Sequence, residues 1–214
     1  MPRHFAATWA LVAVLLCGVP ASVSADSVIE LPVLAAIRQN NLGVFEVLMI
    51  WWDKKPEPNP VQLQWILAGV RLGNAHLGAM AQAFAYAVEH TPSVQHSGTV
   101  SVQGVAYQPT GSDGPSAGAA MAVGFIALFK GDHIQRGIAL TGTIEPGGQI
   151  GPVGSIPDKI RAAAREGYRT VLVPSGQMHD PRWNLVELGF QLNVAVKEVE
   201  TVDEAYLLMT GQRI

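Results

Sequence analysis

Gly111-Ser112-Asp113-Gly114-Pro115-Ser116-Ala117-Gly118-Ala119-Ala120 carries the chain from a stretch of loop composition into a run of small apolar residues that reaches Phe129. That run predicts a close-packed helix over 115–129. Proline's fixed φ suits a first helical turn, and Asp113, or the turn around it, can cap that end, which puts Ser116 within the first turn. The start of a helix offers N–H groups without intrahelical partners and a positive potential. A hydroxyl there can attack a carbonyl while neighbouring N–H groups stabilise the developing oxyanion. Taken alone, the pattern fits equally a capped helix with no chemistry.

A serine nucleophile needs a base, and a second segment offers one: Gly147-Gly148-Gln149-Ile150-Gly151-Pro152-Val153-Gly154-Ser155-Ile156-Pro157-Asp158-Lys159. Ser155 with Asp158 three residues on has the form of a capping box, which predicts a helix over 157–166 closed by Gly167 and sets Lys159 near its first turn. The helix dipole disfavours an ammonium at that end, and burial disfavours it further, so both lower a lysine pKa from its free value of about 10.4. A general base near neutrality needs roughly 7 to 8, on the order of 4 kcal/mol of differential destabilisation of the ammonium. An isolated lysine at this spacing fits a solvated helix position as well.

Together the two segments resemble the proteolytic domain of Lon proteases, the Ser/Lys peptidases. Asp113-Gly114-Pro115-Ser116-Ala117-Gly118 matches that family's nucleophile motif. Thr141-Gly142, followed by Ile144, Gly148, Pro152, Gly154 and Lys159, matches its second motif without a gap. The likeness continues through Ala162-Ala163, Gly167, Thr170-Val171 and Val173-Pro174, then more faintly to Val202 and Glu204-Ala205. It covers the chain well from about Thr99 onward and the preceding helix weakly.

The resemblance implies an α+β fold, one compact mixed domain of short strands and helices. By it Ser116 is the nucleophile, Lys159 the general base, Thr141 a nearby hydroxyl that orients the lysine, and Asp113 a residue that shapes the loop before the serine. It further implies a polypeptide substrate, no cofactor, and a homo-oligomer, since domains of the family assemble as rings. Two departures stand out: Thr143 occupies the place where the family usually has Glu, and the loop Gln108-Pro109-Thr110-Gly111-Ser112 is shorter and lacks a histidine-bearing strand. No lysine follows a glycine, so the chain holds no GxxxxGK[ST] phosphate loop and unfolded or flexible polypeptides are the expected substrates.

Val28 to Ile37 and Gly43 to Trp52 read as strands, and Trp51-Trp52-Asp53-Lys54-Lys55-Pro56-Glu57-Pro58-Asn59-Pro60 ends in a proline-rich exposed loop. Leu77, Met80, Ala81, Phe84 and Val88 recur at helical spacing over 75–90. Thr99 to Tyr107, Ile138 to Leu140, Thr170 to Pro174 and Val194 to Val199 read as strands, and Val202 to Met209 as a last helix. Trp51 and Trp52 suit either an exposed binding patch or core and oligomer contacts.

The 214 residues carry 14 Lys+Arg against 17 Asp+Glu, and a net charge of -3 gives no field to gather nucleic acid. Pro152 interrupts any dinucleotide-binding reading of Gly147, Gly148, Gly151 and Gly154, which suit tight turns beside a site. His76, His90, His96, His133 and His179 are scattered without metal-ligand spacing. Two rival functions remain. Gly114-Pro115-Ser116-Ala117-Gly118 also satisfies GxSxG, with Asp158 and His179 following in the order of an esterase-type triad. A non-catalytic, Lon-like peptide-binding or assembly module is the other.

Met1-Pro2-Arg3-His4, an apolar run from Phe5 to Leu16, the break Gly18-Val19-Pro20 and the small residues Val23-Ser24-Ala25 form the three parts of a secretory signal peptide over 1–25. Cleavage there predicts a periplasmic or secreted domain over 26–214, with membrane attachment only if the segment stays. Cys17, the single cysteine, lies inside the segment, so disulfides would have no part in holding the exported domain.

Overall fold

The computed structural model describes residues 28–37, 42–56, 59–66, 73–105 and 114–214. Residues 1–25, the expected signal peptide, and Asp113 lie outside the described residues. The first two strands are β1 (Ile29–Ile37) and β2 (Leu42–Asp53), followed by β3 (Gln62–Ile66), α1 (Asn74–His90) and β4 (Thr99–Val105). The second half runs α2 (Gly118–Lys130), β5 (Ile138–Leu140), β6 (Thr143–Ile144), β7 (Ile150–Gly151), α3 (Ile156–Arg165), β8 (Thr170–Pro174), α4 (Leu185–Leu192), β9 (Ala195–Val199) and α5 (Val202–Thr210).

Seven strands make one sheet in the order β3-β4-β2-β1-β5-β8-β9, and β6 with β7 forms a separate hairpin. Strand β2 runs antiparallel to both its neighbours, β1 and β4, while the remaining pairs are parallel. Successive side chains of a strand point to opposite faces, so an apolar strand serves two cores at once. Leu31, Val33, Leu140 and Leu172 face one cluster, built with α1, α2 and α5. Leu34, Ala139, Val171 and Val173 face the other, built with α3 and α4. The result is an α+β domain of three layers with helices on both faces of a mixed sheet.

Helix α2 is buried along its whole length except Lys130, which explains why its sequence shows no polar stripe. It lies between the sheet and α1, with Trp52 set edge-on to its Phe129 at 5.1 Å between ring centroids. Trp52 also donates from Nε1 to Ser97 O at 2.7 Å, which identifies it as a core residue. Trp51 is half-buried.

Two sequence expectations about helix starts are corrected. Helix α2 begins at Gly118, not Pro115, and Pro115 to Ala117 form a turn ahead of it in which Gly118 N donates to Pro115 O at 2.9 Å. Ser155 precedes α3 but does not cap it through its side chain, because it adopts φ 55, which turns the hydroxyl away from the capping position. Strand β3, the β6–β7 hairpin and α4 are elements the sequence reading did not anticipate.

Candidate active site

Ser116 sits half-buried in the turn that leads into α2, and its main chain is fixed by the segment that follows β5. Gly142 N donates to Ser116 O at 2.8 Å, and Ala119 N donates in return to Gly142 O at 3.1 Å. Thr141 Oγ1 adds a third bond, donating to the same Ser116 O at 3.2 Å. This reciprocal lock requires the two backbones to lie close together. A Cβ on Gly142 would fall 2.3 Å from Ile150 Cγ2, and one on Gly118 would fall 3.1 Å from the Ile144 backbone nitrogen. The small residues of both segments permit that approach.

Lys159 comes to the same place from the opposite face of the sheet. It belongs to α3, whose start is set by Asp158 N and Lys159 N donating to Ser155 O at 3.2 and 3.1 Å. Only 3% of its surface is exposed. Its Nζ donates to Thr141 Oγ1 at 3.0 Å. Thr141 is fully buried and its N–H donates to Leu172 O at 3.0 Å, so the hydroxyl stands on the rigid β5–β8 pair. Having given its one proton to Ser116 O, that hydroxyl offers a lone pair to Lys159. Ser116, Thr141 and Lys159, three residues singled out in the sequence, are thus brought into one hydrogen-bonded chain. Asp113, the fourth, falls outside the described residues.

The head of α2 sets the positive end of a helix dipole beside Ser116, while its Gly118 and Ala119 N–H groups are taken up by Pro115 O and Gly142 O. A hydroxyl, a buried amine and a positive helix end are the parts that acyl transfer uses.

The residues of the rival triad do not gather in this way. Among the described residues, Gly114 to Ala117 lie in a bend and turn and not in a strand, whereas a nucleophile elbow needs a strand running directly into the serine. Asp158 is paired with Arg161 at 3.2 Å. His179 is exposed in the turn after β8. The neighbouring Asp180 is engaged by Arg182, whose side-chain and main-chain hydrogen bonds hold that carboxyl at about 2.

Two glutamines escaped sequence reasoning. Gln177, 6% exposed, accepts from Val153 N and donates to Val153 O, both at 2.9 Å, and so fixes the loop that leads to Lys159. Gln82 on α1 donates to Ile144 O at 3.0 Å. A glutamine without a motif around it gives no signal in a single sequence.

A family model for the Lon protease (S16) C-terminal proteolytic domain matches residues 78–209. The chain belongs to this family. The match takes in most of α1 and nearly all of α5, so it covers Ser116, Thr141 and Lys159, while β1, β2 and β3 with their core residues lie outside it. Among curated relatives, Lon protease of Haemophilus influenzae is 38% identical over 97 residues, 44% of this chain and 12% of that protein. Lon protease 2 of Syntrophobacter fumaroxidans is 35% identical over 101 residues, 46% of this chain and 12% of that protein. Lon protease of Escherichia coli (strain K12) is 39% identical over 71 residues, 33% of this chain and 9% of that protein. The matched regions thus span only 9% to 12% of these relatives. Membership in the family supports a peptidase function of the serine type.

Proposed function

We propose that this Lon-family domain is a serine endopeptidase that hydrolyses unfolded or flexible polypeptides with a Ser116/Lys159 dyad and without nucleotide hydrolysis. The observation that carries the reading is the hydrogen bond from buried Lys159 to Thr141, the residue that also holds the main chain of Ser116. Ser116 Oγ adds to the peptide carbonyl while its proton passes to neutral Lys159 Nζ, giving a tetrahedral oxyanion beside the head of α2. Collapse of that intermediate breaks the C–N bond, and the lysine ammonium returns its proton to the departing amine. The acyl-enzyme is then cleaved by water, whose proton Lys159 takes before returning one to Ser116 Oγ.

Thr141 orients the amine, and Asp113 shapes the approach to Ser116. No cofactor enters these steps. Export to the periplasm or the exterior with the segment over 1–25 removed, and assembly into a homo-oligomeric ring, complete the proposal. A net charge of -3 fits a polypeptide substrate better than nucleic acid or nucleotide.

Hydrolysis of casein without ATP, followed in the wild-type protein and in Ser116→Ala, Lys159→Ala and the double variant, tests the dyad. Each single substitution is expected to abolish turnover, and the double to cost no more than either, because nucleophile and base act as one unit. His179→Ala is expected to retain activity. An inactive His179→Ala beside an active Lys159→Ala would replace the dyad by the esterase-type triad.

A further inference from the structure

Helix α1 reaches the site without contributing to the dyad. In the β6–β7 hairpin Glu145 N donates to Gln149 O at 2.8 Å, and Ile144 faces Ile150. In an antiparallel ladder the residue beside such a pair turns its own main-chain groups outward, so Ile144 N and O point away from the hairpin. Ile150 N obeys the same geometry and donates to Glu200 O at 2.8 Å. The outward side of Ile144 meets two helices. A Cβ on Gly118 would stand 3.1 Å from its nitrogen, and its carbonyl accepts from Gln82 Nε2 at 3.0 Å.

Tyr86, one turn beyond Gln82 on the same stripe of α1, holds the far end of the segment. Gly148 has φ +74 and lies so near the Tyr86 hydroxyl that an added Cβ would come within 2.2 Å of it. The Tyr86 ring is itself stacked on His90, 3.8 Å between centroids at 20°. Burial, and after it the negative charges of Asp203 and Glu89, raise the Tyr86 hydroxyl above its ordinary value, so it stays protonated. Residues 144–148 are therefore hydrogen-bonded to α1 at Ile144 and packed against its Tyr86 at Gly148. They continue directly from Thr141 and Gly142, whose hydrogen bonds carry Ser116.

We propose that Gln82 is a positioning residue: its bond to Ile144 O, backed by Tyr86 over Gly148, presses residues 142–148 against the head of α2 at the height where Thr141 and Gly142 hold Ser116. The consequence for turnover rests on the Ser116/Lys159 reading, whereas the clamp itself does not. Gln82 is exposed on the surface of α1, so its replacement opens no cavity in either core. Glutamate has nearly the same shape and favours helix, but as a carboxylate it cannot donate to a carbonyl.

The test measures the full chain and its Gln82→Glu and Gln82→Lys variants in two ways. The first is kcat and KM on a fluorogenic peptide. The second is amide hydrogen exchange of the peptides covering 114–121 and 141–150, with the thermal midpoint as a check on the fold. Gln82→Glu is expected to lower kcat about tenfold with KM little changed, a small displacement at the nucleophile being enough for that. Exchange should quicken in those two segments while the rest of the domain and the midpoint stay as in wild type. Gln82→Lys, which restores a donor of sufficient reach, should recover both.

Wild-type kcat together with wild-type exchange in Gln82→Glu overturns the proposal, and so does exchange that quickens evenly over the whole chain. A Ser116→Ala protein that still hydrolyses the peptide overturns the dyad instead, and the exchange measurement then decides the clamp on its own.

Discussion

Thr141 shows how much one hydroxyl can settle. It has one proton to give and gives it to Ser116 O, which leaves it able only to accept from Lys159. The lysine is held at 3% exposure, and an arginine in its place would still be charged. Lys159→Arg is therefore expected to be inactive although it keeps charge and length, since a guanidinium cannot take the serine proton. In the wild type the neutral fraction of a lysine grows as pH rises, so kcat/KM should climb from neutral into alkaline pH. A pH–rate profile of both proteins, with circular dichroism to confirm the fold of the variant, checks this. Lys159→Arg at wild-type activity would remove Lys159 from the chemistry.

At the level of elements, the bonds from Gly142 N to Ser116 O and from Ala119 N to Gly142 O need backbones in near contact, and glycine is what permits it. An alanine at Gly142 would set its methyl 2.3 Å from Ile150 Cγ2, and relieving such overpacking costs roughly 1–3 kcal/mol. Gly78, exposed inside α1 with nothing within 4 Å of an added Cβ, is the opposite case. Gly78→Ala is expected to stabilise by about 0.5–1 kcal/mol, because glycine inside a helix loses more conformational freedom on folding than alanine does. Urea unfolding of both variants measures the two signs.

The same physics explains which elements the sequence disclosed. Strands β1, β2, β4, β5, β8 and β9 carry enough branched and apolar residues to be read directly. Helix α1 was legible from its spacing, α3 from its proline start and closing glycine. Strand β3, Gln-Leu-Gln-Trp-Ile, is a short, partly exposed edge whose register comes from β4, a partner absent from its own sequence. Ser155 and Asp158 had the form of a capping box, yet φ 55 at Ser155 breaks it. Side-chain caps occur instead at Asn184, which accepts from Glu187 N at 3.1 Å, and at Thr201, which accepts from Glu204 N at 3.2 Å. The first of these opens α4, an element whose capping signal stood in the sequence unread. At the site, Ser116, Lys159 and Thr141 were legible through motif spacing, while Gln82 and Gln177 were not, because their roles exist only once α1 and the turn after β8 are folded against the loop.

For the molecule as a whole, the two cores account for the cohesion of a domain whose described residues contain no cysteine. The apolar clusters on either face of the sheet take in α1 to α5, and among the described residues no helix is long and apolar enough to cross a membrane. Residues 5–16 form an apolar run shorter than the roughly 20 residues a transmembrane helix needs, and Gly18 and Pro20 follow it before Val23 and Ala25, residues small enough for a signal peptidase. The whole-chain prediction is therefore a protein recovered outside the cytoplasm with Asp26 as its first residue. Intact-mass measurement of protein from the extracytoplasmic and membrane fractions of an expressing bacterium decides it. Export should carry the Ser116/Lys159 site into a compartment where substrates must arrive already unfolded or flexible. A mass that retains Met1, found only in the membrane fraction, would make the segment an anchor and tether the domain to the bilayer surface.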